Sequence, residues 1–204
     1  MTAKFILLIL AGAFAVCPNV QASAFTDYGG FGKYKQSLAD GGGCISGTVG
    51  TSMPGKNFNS IVYFAGSQYG EKARFNKAYF GFTTLDKKHD IDSDTLRASA
   101  FQMCLKPGNY DIIGIEARGM ESTQEIRMPF TVEAGKNVYL GSLIFHSDAV
   151  KAISCGSINS QGVEIRDEFS RDTPLILGLK GAMAPEAKAL DAARGQPYFY
   201  RCPK

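Results

Sequence analysis

Pro129-Phe-Thr-Val-Glu-Ala-Gly135-Lys-Asn-Val-Tyr139-Leu-Gly-Ser-Leu143 reads as two strands joined by a tight turn. Phe130 and Val132 fall on one face and Thr131 and Glu133 on the other, the period of two that a half-buried strand shows. Val138 and Leu140 share a face in the second strand, and Gly135 supplies the positive φ that the intervening turn wants. Leu105-Lys-Pro-Gly-Asn-Tyr110 repeats the arrangement, with Pro107 fixing φ near −65° and Gly108 relieving the turn. The same alternation, broken by turn residues, predicts strands over 44–50, 60–66, 78–85, 98–105, 110–117, 126–133, 137–145, 149–157 and 163–168. Spacings this short leave no room for crossover helices, so the expected fold is mainly β: an antiparallel, Ig-like sandwich of two sheets.

These segments, with Gly114-Ile-Glu-Ala-Arg118 between them, resemble a recurring bacterial module. It is found in exported proteins and lipoproteins with a transthyretin-like, or carboxypeptidase-regulatory-like, β-sandwich. Some members continue as Val163-Glu-Ile-Arg-Asp167 and Thr173-Pro-Leu-Ile176 do here, with an acid-ended strand and a short helix. The resemblance spans roughly 44–179 and rests on turn chemistry and core alternation. It therefore implies a fold and no catalytic residue; members of this kind are mostly of unknown function.

The ends of the chain have other compositions. Lys4 precedes a twelve-residue apolar run, Phe5-Ile-Leu-Leu-Ile-Leu-Ala-Gly-Ala-Phe-Ala-Val16, and Ala22-Ser-Ala24 follows. A run this short does not span a bilayer as a helix, and the small residues after it suit a signal peptidase. Residues 1–24 are thus expected to be an export signal cut before Phe25, with Val20-Gln-Ala22 as a second place for the cut. A lipid anchor on Cys17 is not expected, because bulky Val16 stands where such sites carry a small residue. No later apolar run approaches membrane-helix length. The expected destination is the periplasm or the exterior, with outer-membrane association as a further option.

Residues 25–43, with Gly41-Gly42-Gly43 at their end, show no periodicity and read as a flexible N-terminal arm. Residues 44–170 form the sandwich, and 171–204 a C-terminal helical extension and tail. Asp172-Thr-Pro174 reads as a helix cap followed by a first-turn proline, opening a short helix around 175–179. The Ala-rich segment 185–194 before Gly195 reads as a second helix. Tyr198-Phe-Tyr200 reads as a strand or extended tail.

Cys44, Cys104, Cys155 and Cys202 remain beyond the export signal, and an even count in an exported chain reads as two disulfides. Three pairings are open; the preferred one joins Cys44 to Cys104 and Cys155 to Cys202, neighbours along the chain. Thiolate metal sites of the C-x-x-C kind have no counterpart here.

With 45% hydrophobic and 20% charged residues the chain is neither disordered nor collagen-like. Lysines and arginines exceed acids by three without forming a stripe, so no nucleic-acid partner is expected. Asp90, Asp92 and Asp94 are spaced two apart, as in Ca²⁺ loops, but Thr95 stands where the loop needs Gly and Phe101 where it needs a bidentate acid. Ca²⁺ is the one cofactor this pattern raises, against a solvated acidic loop. His89 and His146 are the chain's two histidines; a Cys155–His146 thiol–imidazole pair is outweighed by the disulfide role of Cys155. Glu116, Glu121, Glu125, Glu164 and Asp167 offer dispersed carboxylates for hydrolysis, with nothing selecting a pair. Tyr198, Phe199 and Tyr200 could offer a partner surface, as could Tyr28, Phe31 and Tyr34, although aromatics at termini more often staple a segment to the core. The resulting expectation is an exported, non-catalytic binding or structural module of the bacterial cell envelope that engages a protein or glycan; the alternative is a secreted or periplasmic hydrolase using dispersed carboxylates, with or without a cation at Asp90, Asp92 and Asp94.

Overall fold

The computed structural model describes residues 31–52, 59–84, 88–117, 120–121, 127–147, 161–188 and 198–200. Cys17, Cys155, Cys202 and Glu125, and the strand expected over 149–157, lie outside these residues. Two β-sheets pack face to face. The strands are β1 Gly43–Thr51, β2 Asn59–Gly66, β3 Ala78–Thr83, β4 Ile91–Asp92, β5 Arg97–Leu105, β6 Gly108–Ala117, β7 Met120–Glu121, β8 Met128–Val132, β9 Asn137–Ser147, β10 Gln161–Arg166, β11 Ala187–Lys188 and β12 Tyr198–Tyr200. One helix, α1, spans Phe169–Leu177.

The larger sheet runs β12-β10-β9-β1-β5-β4, with β11 also against β9; the smaller runs β3-β2-β6-β7, with β8 also against β6. Both turns that mark the sequence act as corners between sheets. Lys106–Pro107 carries the chain from β5 in the larger sheet to β6 in the smaller, and the Glu133–Lys136 turn carries it back from β8 to β9. The second is closed by Lys136 N–H donating to the Glu133 carbonyl at 3.2 Å, with Gly135 at φ 72°. Tight corners of this kind let consecutive strands keep their alternation while facing each other across the core.

Most pairings are antiparallel, but β1 lies parallel to β9, shifted by one residue where Leu140 is inserted before Gly141, and β11 lies parallel to β9. At the shift the backbones close in: a Cβ on Gly47 would sit 2.3 Å from the Gly141 carbonyl oxygen. Only glycine fits there.

Alternate residues of both sheets fill the space between them. Phe64, Phe80, Phe101, Tyr110 and Phe130 form its aromatic centre, with Phe80 and Phe101 rings 5.0 Å apart and Tyr110 stacked on Phe130 at 5.4 Å. Residues 31–43, the described part of the expected arm, dock on the sandwich. Tyr34 is buried among Phe64, Tyr69 and Tyr110. Its hydroxyl donates to the Asn76 carbonyl at 2.5 Å and accepts from the Gly66 N–H at 3.3 Å. Lys35 bridges to Leu105, and a Cβ on Gly43 would strike the Glu133 carbonyl. Close approach, rather than looseness, explains that glycine.

Burial pushes the Tyr110 phenol up to about 12, with neighbouring Tyr34 and Tyr69 adding to it. Burial also raises Tyr34, against the lowering effect of the Gly66 N–H. An unfolded tyrosine ionises near 10, so the folded state holds these protons more tightly. The stabilisation is complete below pH 10 and is lost as pH rises toward 12. Denaturant melts should therefore show stability falling through that window, less steeply in Tyr110→Phe; a flat profile between pH 10 and 12 would contradict the assignment.

The larger sheet is covered on both faces, which is why every residue of β1 is buried. On the side away from the smaller sheet, α1 and the following segment pack over β1, β5 and β9: Phe169, Leu175, Ile176, Leu179 and Ala182 gather on Ala100 and Tyr139. The helix begins earlier than the sequence suggests. Its first residue is Phe169 and its cap is Glu168, so Asp172 and Pro174 lie within it. The second expected helix is corrected at its start, where Ala187–Lys188 pairs as β11 with β9; residues 189–194 lie outside the described residues. The short C-terminal helix and the residues after it, to 188, thus lie on the outer face of the larger sheet as a third layer.

Candidate functional site

Three groups of polar residues invite a chemical role. The first is buried between α1 and the larger sheet. Alternation points Ser46 and Thr48 of β1, Gln102 of β5, and Asn137, Tyr139 and Ser142 of β9 toward α1. The fully buried Asp172 meets them. Its Oδ2 accepts from Thr48 Oγ1 at 2.9 Å and from the Tyr139 hydroxyl at 2.6 Å; its Oδ1 accepts from Arg171 Nε at 2.8 Å and Nη2 at 2.7 Å. Ser142 Oγ donates to Thr48 Oγ1 at 2.7 Å and accepts from Arg171 Nη2 at 2.9 Å. Burial, and then the Asp172 carboxylate, hold the Tyr139 phenol far above its usual range. Beside this network, Asn137 Nδ2 donates to the Met183 carbonyl at 2.7 Å, while Gln102 Oε1 accepts from the Met183 N–H at 3.0 Å. These bonds join α1 to β1 and β9 and so fasten the third layer.

Cys44 and Cys104 stand directly opposite each other in the β1–β5 register and form a disulfide, the first of the two preferred pairings. Asp90, Asp92 and Asp94 do not converge. Asp90 Oδ2 accepts from the Ala100 N–H at 2.7 Å, and Asp92 Oδ1 pairs with Arg97 Nε at 2.9 Å. Among the described residues, no three acidic, histidine or cysteine side chains come together as metal ligands. Millimolar Ca²⁺ is therefore expected to leave the melting curve in place; a rise of several degrees would restore the site.

The remaining candidates are scattered. His89 packs on Phe82 with rings 5.3 Å apart and approaches Ser99 Oγ at 3.3 Å. His146 and Ser147 end β9, and the His146 imidazole lies outside the described residues. Glu116 in the smaller sheet accepts from the Tyr63 hydroxyl at 2.7 Å, whereas Glu164 in the larger pairs with Arg166 at 2.7 Å. Asp167 accepts from the Phe169 N–H. Glu121 opposes Glu116 in the β6–β7 register. Tyr198, Phe199 and Tyr200 form β12, paired antiparallel to β10 at one edge of the larger sheet.

The third group is a cleft of about 370 Å³ on the smaller sheet's side of the molecule, which sequence reading missed. Its wall is the 3₁₀ segment Ser67–Asn76, which packs on β2 and β6 and bends at Gly70 (φ 49°, ψ −123°). Glu71 and Arg74 from that segment, Asp111 and Ile113 from β6, and Arg127 line it. Ser67 Oγ donates to Asp111 Oδ2 at 2.7 Å, tying wall to sheet. The size suits a small charged group or the tip of a larger ligand, and guanidinium pairs suit carboxylate, sulfate or phosphate oxygens. A signal for it existed only in Gly70 and the irregular polar run around it.

Compared with known proteins, the chain matches no family model, no curated protein and no solved structure. Among the described residues, no helix is long and apolar enough to cross a membrane.

Proposed function

We propose that this chain is an exported, non-catalytic binding module of the bacterial cell envelope, built on a sandwich of the transthyretin-like kind that its turn motifs resemble. The cleft beside Ser67–Asn76 carries the reading: it sets opposed charges, Arg74 and Arg127 with Glu71 and Asp111, against β2 and β6, the inner strands of the smaller sheet. Such a site recognises a charged partner and holds it without a nucleophile. The apolar run at 5–16 and the small residues at 22–24 support export, as does the Cys44–Cys104 disulfide, since such bonds persist in oxidising compartments. The hydrolase alternative draws less support, because Glu116 and Glu164 sit in different sheets and each is engaged locally.

The test is affinity capture from envelope extract by the chain and by Ala73→Trp, whose indole would fill the cleft. A protein or glycan held by the first and lost by the second is the expected result. Equal retention by both, or turnover of glycoside, ester or peptide substrates, would contradict it.

A further inference from the structure

Phe75 is the most exposed large apolar side chain among the described residues, at 87%. Burying a phenyl ring changes a partition equilibrium by a factor of about ten or more, so a ring held in water calls for an explanation. Looseness is not one, because the next residue is pinned on several sides. The Asn76 carbonyl accepts from the buried Tyr34 hydroxyl at 2.5 Å. Its Nδ2 donates to the Lys72 carbonyl at 3.1 Å, and its Oδ1 accepts from Lys33 Nζ at 3.3 Å. The backbone thus presents Phe75 outward from the end of the 3₁₀ segment.

The neighbours of that ring are cationic. The segment ends Lys72-Ala-Arg74-Phe75-Asn-Lys77, and three-residue spacing in a 3₁₀ turn sets Lys72 on the same edge as Phe75. Lys33 reaches in from the N-terminal segment through Asn76, and Arg127 lines the adjoining cleft. Lys77 leans back over the Tyr63 ring, 3.8 Å from its centroid, and so braces the base of the tip. Glu71 and Asp111 are the acids nearby, and Asp111 is engaged by Ser67. A single ring projecting from a collar of cations matches one environment in particular: an anionic bilayer surface, where the ring enters the acyl boundary and the cations stay among the phosphates.

We infer that the Ser67–Asn76 tip docks the protein on anionic phospholipid, with Phe75 as the inserted anchor and Lys72, Arg74 and Lys33 as headgroup contacts. This shares with the binding-module reading the placement of the chain at the envelope and the side chain of Arg74, whereas Phe75, Lys72 and Lys33 lie outside the cleft lining.

The test is flotation with vesicles of phosphatidylcholine alone and of phosphatidylcholine mixed with phosphatidylglycerol. It uses the protein as recovered from cells expressing it from residue 1, so that any contribution of the apolar run at 5–16 is common to every variant. The protein should float with the mixed vesicles and release as salt is raised. Phe75→Ala and Arg74→Glu should each weaken partition about ten-fold. Leu177→Ala, which removes the other exposed large apolar side chain among the described residues, from α1 on the opposite layer, should change nothing. Equal flotation with both vesicle types, undiminished binding by Phe75→Ala, or binding to an acidic protein without binding to vesicles would overturn the inference. Phe75→Ala leaves the cleft intact, so loss of flotation with envelope capture retained separates this inference from the function proposed above.

Discussion

Asp172→Ala is expected to cost about 3–5 kcal/mol of folding stability, the range for removing one partner from a buried charged network. The carboxylate is fully buried and receives Thr48, Tyr139 and both Arg171 donors. Without it, the Thr48 and Tyr139 hydroxyls lose their charged acceptor and the Arg171 guanidinium keeps only Ser142 and Glu168, the latter at 3.8 Å, and each buried unmet group carries its own desolvation cost. The damage should be local as well as global. Asp172 is the point where α1 meets β1 and β9, so residues 169–188 should lose hydrogen-exchange protection before the aromatic centre does. Thr48→Val, which removes one of the donors at nearly constant volume, should cost only about 1 kcal/mol. Urea unfolding of the three proteins measures both values; a loss under 1 kcal/mol for Asp172→Ala would mean the network does not hold the third layer.

The second large effect concerns Cys44 and Cys104. They lie 60 residues apart in sequence, and closing a loop of that length stabilises by about 4 kcal/mol on the chain-entropy estimate. Loss of the bond in Cys44→Ala/Cys104→Ala should therefore move the urea midpoint almost as far as the loss of Asp172. The two sites differ in what they protect. The disulfide ties β1 to β5 and so acts chiefly on the unfolded chain, whereas Asp172 acts on the native contacts of one layer. The double cysteine variant should keep the native protection of residues 169–188 while unfolding more readily as a whole. A change below 1 kcal/mol would show that the bond adds nothing to the fold.

Strand positions were readable because alternation and turn chemistry are local. β1, β2, β5, β6 and β9 begin within two residues of where their patterns start. Sheet membership was not, because Pro107-Gly108 and Gly135 specify that the chain reverses and not which sheet receives it. The parallel β1–β9 pairing joins segments some ninety residues apart, and nothing in either sequence announces it. Asp172 was misread for a related reason: next to Thr173-Pro174 it resembles a cap, and only the distant Thr48 and Tyr139 reveal it as a buried anchor. The start of the Ala-rich segment shows tertiary context overriding propensity, since Ala187 and Lys188 complete an edge of β9 instead of a helical turn. For Asp90, Asp92 and Asp94 the spacing was real but the geometry is set by Ala100 and Arg97. The cleft and the Phe75 tip were hidden because a 3₁₀ segment carries no strong periodicity.

The central proposal is that the chain is exported and oxidised into a scaffold that presents surfaces. Peptide mapping of the unreduced protein, purified from the cell envelope, tests it most directly. The account predicts an N-terminus at Phe25 and a linked peptide joining Cys44 to Cys104. Recovery of folded protein that still begins at Met1, with Cys44 and Cys104 as free thiols, would contradict it.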